Sequence, residues 1–318
     1  MANHLDAYRG CLLGLAVGDA MGMPVDDMTW EQIQENYGPH GLLGYDLRSD
    51  YAEITSYTQV AAYICNALLL SVSRGKGDKK LDYVKLGLKE WTRSQQFARD
   101  PESSYCWVAK LPAFRRRYCR DARMLDTLRL SAMGFPERGP NKYNTPGALT
   151  SAVAVGMFYN PQRLTPPQVG ELAAQIVSLT HGDPSTFLSA SVLAYAITGI
   201  LMEPELPLEE QFSAAISAME QQFRGKYSET TTVAATLKGV LKRAKEAEPM
   251  GQVMEELQCY SAMTCLAGAI YTALVYGDNF DEQECGYIDS MDLFVKKTKA
   301  LWKRFWRHTR NLLRNPCL

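Results

Sequence analysis

The chain has 318 residues, 46% of them hydrophobic, which is enough to fill a sizeable core without disulfide or metal staples. Its 34 basic and 35 acidic residues leave a formal net charge of -1 and exclude a global field that would draw in nucleic acid or an anionic membrane, so any such partner would need a local patch. The eight cysteines (Cys11, Cys65, Cys106, Cys119, Cys259, Cys265, Cys285, Cys317) include no C-x-x-C pair and no histidine at zinc-ligand spacing, and they read as reduced, mostly buried small hydrophobes of a cytoplasmic protein.

The N-terminal apolar stretch is broken by glycines and ends at Asp19, with no basic region ahead of it and no cleavage site, so it is not read as a signal peptide. No other run reaches the roughly 20 apolar residues of a membrane span. Gly10, Gly14 and Gly18 stand at i, i+4 and i+8, a helix face that would let another backbone approach closely. Asp19 follows, and Asp26 seven residues later; these carboxylates could hold a cation or sugar hydroxyls, or Asp26 could simply cap the helix before Trp30.

Val60 to Val72 predicts an apolar helix buried nearly all round, closed by a turn from Gly75 to Lys80, and Leu81 to Gln96 predicts an amphipathic helix. Cys106 to Leu130 reads as one or two more helices with a basic face, Arg115 to Arg117 being a solvated surface. Pro136 to Pro146 is a loop and Ala148 to Phe158 a buried segment. Thr165-Pro166-Pro167 starts a helix that runs to Thr180, because threonine caps and proline lacks only an N–H that the first turn leaves unpaired. His181 then sits at a helix end, where it could meet a ligand or merely complement the helix dipole, and Asp183 could bind or cap the next helix. Helical spacing continues over Pro184 to Met202, Pro207 to Phe223, Thr230 to Ala247, Val253 to Leu257 and Ser261 to Tyr276. With no repeat and no linker, one all-α domain over residues 1–283 is expected.

Residues 284–318 read as a basic amphipathic helix, with Leu301, Trp302, Phe305, Leu312 and Leu313 interleaved with lysines and arginines. Its apolar face either closes the core or contacts a protein or membrane surface.

Four motifs occur together and in order: G-x-x-x-G-x-A-x-G-D-A-x-G-x-P at residues 10–24, N-x-x-G-A at 144–148, G-x-F-Y-N-P at 156–161 and T-H-G-D-P at 180–184. In these the chain resembles the ADP-ribosylglycohydrolase family, including the dinitrogenase reductase-activating glycohydrolases. The resemblance implies a compact all-α fold, and an activity in which two magnesium ions hold ADP-ribose while its C1″ bond is hydrolysed.

The chain departs from that pattern at the metal ligands. Where the family carries T-D-D-T, this sequence has Thr55-Ser56-Tyr57-Thr58, with both carboxylates gone. The segment preceding the family's second metal motif is present as Ala269 to Glu282, but no G-D-x-D follows; Asp289 and Asp292 lack its small neighbours. Where the family commonly reads G-x-x-M-R, this chain has Gly147-Ala148-Leu149-Thr150-Ser151. The family's acidic residue after the first motif matches Asp26, one methylene shorter than the usual glutamate. The expectation is therefore a pseudoenzyme without a metal cofactor, retaining a polar ligand cleft at Asp19, Asp26, Asn144, His181 and Asp183 for ADP-ribose or a related nucleotide-sugar. The alternative is a hydrolase of ADP-ribosyl or related bonds with an altered or metal-independent mechanism, using Asp26 with Asp19 or His181 as catalytic groups.

Overall fold

In a computed structural model the described residues are 2–39, 41–42, 44–47, 51–96, 101–159, 164–258 and 260–276. The expectations for residues 284–318, Asp289 and Asp292 lie outside them. The described residues form twelve α-helices joined by short 3-10 turns, and no strand beyond isolated bridges such as Phe135 with Arg138.

Helix α1 spans Ala2–Gly22 and buries Leu12, Leu13, Ala16, Val17 and Ala20. The glycine face does not do what its spacing suggested. A Cβ built on Gly10, Gly14, Gly18 or Gly22 meets no atom within 4 Å among the described residues, so no described helix packs closely there. A 3-10 turn over Met23–Val25 leads to α2, Trp30–Tyr37. Its cap is Thr29, whose N–H donates to Gln32 Oε1 (2.8 Å) while Gln32 N–H donates to Thr29 Oγ1 (3.3 Å); the capping role considered for Asp26 is thus taken by Thr29.

Helix α3, Ser56–Ser73, is buried on almost every side, as its run of apolar residues requires. Helix α4, Lys80–Gln96, packs on it with Gly87 against Ala67 and the Tyr63 carbonyl. The stretch from Cys106 onward corrects the sequence reading. Trp107–Lys110 and Pro112–Arg115 are 3-10 turns, and the single α-helix is α5, Ala122–Arg129. Proline at 112 and the polar pairing of residues 116–120 with α3 divert the backbone between them.

Helices α6 (Leu149–Gly156), α7 (Pro166–Val177) and α8 (Pro184–Met202) follow, then α9 (Leu208–Phe223), α10 (Glu229–Lys245), α11 (Met250–Leu257) and α12 (Ala262–Tyr276). Helix α8 is the hub, touching α1, α6, α7, α9, α10 and α12. Its serines and alanines let neighbours come close: a Cβ on Gly156 of α6 would lie 2.8 Å from the Ala194 carbonyl oxygen, and one on Gly170 of α7 would lie 2.7 Å from Ser191 Oγ. By length and composition α8 could cross a membrane, which the sequence reading did not credit to it; here Phe187, Leu188, Ala190, Val192, Ala194 and Ala196 are buried within the helical assembly.

Candidate functional site

The N-terminus of α3 leaves backbone N–H groups without intrahelical partners. Asp19, delivered by the last turns of α1, supplies what they need. Its Oδ2 accepts from Thr55 N–H (2.8 Å), Thr58 N–H (3.0 Å) and Thr58 O–H (2.6 Å), and its Oδ1 accepts from Thr55 O–H (2.6 Å). Burial pushes the Asp19 carboxyl above its ordinary value, against these four hydrogen bonds, which pull it down. Asp19 therefore ties α1 to the first turn of α3, with both oxygens engaged.

Ser56 and Tyr57 occupy that first turn. Ser56 N–H donates to the Tyr118 carbonyl (3.1 Å) and Ser56 Oγ accepts from Arg120 N–H (3.0 Å), so the segment before α5 is laced onto the helix start. Gln59 extends the lacing: its amide donates to the carbonyls of Ala113 (2.9 Å) and Arg116 (3.2 Å) and its Oε1 accepts from Trp91 Nε1 (3.0 Å). The Tyr57 ring lies against Gly147, where a Cβ would fall 2.6 Å from its Cε1 and 3.1 Å from Asp121 Oδ2. Burial first, then the negative charges of Asp26, Asp121 and Asp19, push the Tyr57 hydroxyl far above its usual range.

A second buried network joins Asp121, Thr145 and His181. Asp121 caps α5 through Oδ1, which accepts from Met124 N–H (2.9 Å), and its Oδ2 accepts from Thr145 O–H (2.6 Å). His181 Nε2 lies 2.8 Å from Thr145 Oγ1 and 3.1 Å from Asp121 Oδ2, with Nδ1 2.9 Å from Thr180 Oγ1. Because the Thr145 proton is committed to Asp121, Nε2 faces two acceptors and must be the donor. Both side chains, His181 and Asp121, are almost wholly out of water, at 0% and 3% exposed. Burial would raise the Asp121 carboxyl, but hydrogen bonding and charge from His181, with Thr145 and Met124, hold it below its ordinary value.

Asn141 clamps this network from outside. Its amide donates to the Thr180 carbonyl (2.8 Å) and Thr127 Oγ1 (2.9 Å), and its Oδ1 accepts from Gly182 N–H (3.0 Å) and Tyr143 N–H (2.9 Å). The chains cross so closely that a Cβ on Gly182 would fall 2.1 Å from the Asn141 carbonyl oxygen.

Of the residues singled out in the sequence, Asp19, Asp26 and Tyr57 come together around the start of α3, and His181 joins them through Asp121. Asp26 Oδ2 accepts from Arg120 Nε (2.8 Å). Asp183 caps α8, its Oδ1 accepting from the Ser185 backbone (2.9 Å) and hydroxyl. Asn144 contributes its backbone carbonyl, which accepts from Ala262 N–H (2.8 Å) and fixes the start of α12. Asp19, Asp26, Asn144, His181 and Asp183, expected to line one polar cleft, each hydrogen-bond described residues outside that set. Arg120, Asp121, Thr145 and Asn141 were missed. The one signal for Asp121 was a carboxylate directly before a helix start, and it was obscured by the basic run around it.

The first metal motif's position does not suit magnesium. The ion wants carboxylate oxygens in near-octahedral array, whereas Thr55 and Ser56 present hydroxyls already engaged and Tyr57 a ring wedged on Gly147. Among the described residues no three His, Cys, Asp or Glu side chains lie close enough together to hold a metal ion.

The fold and this site define a helical protein in which the start of α3 is capped by the Asp19 carboxylate from α1. Residues 1–287 match the ADP-ribosylglycohydrolase family, and the chain belongs to it. Over 33 residues it is 54% identical to an uncharacterized protein of Archaeoglobus fulgidus, a stretch covering 10% of this chain and 11% of that protein. The chain thus spans about a tenth of that relative's length, and the likeness is local.

Proposed function

We propose that this family member is a catalytically impaired protein that binds ADP-ribose or a related nucleotide-sugar without a dimagnesium centre. The observation that carries the reading is the state of the helix start: Asp19 spends both oxygens on Thr55 and Thr58, while Ser56 and Tyr57 bring no carboxylate. Polarising the attacking water and orienting the ribose are the tasks a metal pair performs, and none of the side chains around α3 replaces both. Asp26 is the remaining candidate base, and Arg120 holds one of its oxygens. His181 and Asp121 are too deeply buried to touch a substrate and instead fix the T-H-G-D-P turn on which binding would depend.

The test is calorimetric titration with ADP-ribose in magnesium and in chelator, alongside hydrolysis of ADP-ribosylated arginine and serine peptides. The reading expects binding unchanged by chelation and no release above the uncatalysed rate. Magnesium-dependent release of ADP-ribose would overturn it.

A further inference from the structure

The loop after α1 turns three oxygens toward one point. Arg120 Nε donates to Asp26 Oδ2 (2.8 Å), Nη1 to Asp27 Oδ2 (2.8 Å) and Nη2 to the Met23 carbonyl (3.3 Å). This differs from an ordinary surface pair, in which two long side chains meet in water and gain little. The cation is the most sheltered member: the Arg120 side chain is 15% exposed, against 38% for Asp26 and 84% for Asp27. Its backbone is pinned by Ser56 Oγ, and its guanidinium carbon lies 5.5 Å from the centroid of the Tyr118 ring. Ser56, standing where the family pattern has a carboxylate, thus anchors the residue that brings a positive charge to Asp26 and Asp27.

Two carboxylates and a backbone carbonyl from one short loop are the oxygen set a hard divalent cation takes. A guanidinium stays protonated at any accessible pH and matches several oxygens at once through its planar fork. We infer that Arg120 is a built-in cation: it occupies an oxygen cradle formed by Met23, Asp26 and Asp27, positions Asp26, and frees this loop from any need for a divalent ion. This goes beyond the ligand reading and does not depend on it. A protein that binds no nucleotide-sugar would still carry the cradle.

The experiment is thermal unfolding of the full chain in chelator and in calcium or magnesium chloride up to about 10 mM, a range that covers weak oxygen sites. Wild type should keep the same melting temperature throughout. Arg120→Ala should melt lower in chelator and regain part of the loss with calcium or magnesium, and adding Asp26→Asn should abolish that recovery. Arg120→Lys, which keeps a positive charge, should show no response to either ion. An arginine with a merely structural role would lower the melting temperature of Arg120→Ala without making it respond to cations, and that result would overturn the inference. So would a wild-type response as large as the variant's. Should Arg120→Ala not fold in either condition, Arg120→Gln carries the same titration, and indifference of that variant to both ions would equally overturn it.

Discussion

Asp19 and Asp121 are buried carboxylates displaced in opposite directions, and their effects on stability carry opposite signs. The Asp121 carboxyl is held below its ordinary value of 3.8, so its contribution is fully present above that pH and is lost as pH falls through the folded value. Asp19 is raised from the same ordinary value, so its contribution is present at low pH and declines as pH rises. In urea unfolding between about pH 2 and pH 6, a window that brackets ordinary carboxylate titration, Asp121→Asn should flatten the acid loss of stability and Asp19→Asn should steepen it; the same slope change in both would contradict these environments. Asp121→Ala should destabilise by about 1–3 kcal/mol, since it leaves the buried His181 and Thr145 groups without their acceptor. Gly147 offers a test of Tyr57. Gly147→Ala drives a methyl into the ring and should be destabilising by about 1–3 kcal/mol, with Tyr57→Ser recovering part of it in a double-mutant cycle. At this scale the sequence was only half legible. Asp19, Asp26 and His181 could be picked out from their motifs, but their partners Thr58, Arg120 and Thr145 lie 39, 94 and 36 positions away in the chain. No local pattern encodes those pairings.

Among the elements, the starts of α7 and α8 could be read directly, because Thr165-Pro166-Pro167 and Asp183-Pro184 combine a cap with a proline where the helix leaves its N–H groups unpaired. Residues 106–121 could not, since 3-10 turns and a run of arginines mimic the spacing of an amphipathic helix over a few residues. The glycines of α1 and α6 look alike in sequence and differ in place. Gly156→Val should destabilise by about 1–3 kcal/mol, because the new side chain meets the α8 backbone and Ile197. Gly14→Ala, with open space around it among the described residues, should stabilise by up to about 1 kcal/mol through helix propensity alone. Chemical denaturation of the two variants side by side checks the contrast, and a destabilised Gly14→Ala would show that this face is packed after all.

For the whole molecule, the all-α class followed from the helical period and the family from motifs spread along the chain, and both agree with the architecture and the match over residues 1–287. The placement of α8 at the centre was not legible, because its apolar run marks a helix without naming the neighbours it packs against. That placement bears on how the chain is made. Synthesis proceeds from the N-terminus, and at roughly 5–20 residues per second the ribosome works for about ten to forty seconds before Pro184 emerges. Until then α6 and α7 hold apolar faces whose main partner does not yet exist. A nascent chain stalled just short of α8 should therefore be sticky and readily cut by protease, whereas one stalled after α12, with the hub surrounded by all of its neighbours, should resist both; the order of translation, as much as the finished contacts, sets when the chain becomes safe to release.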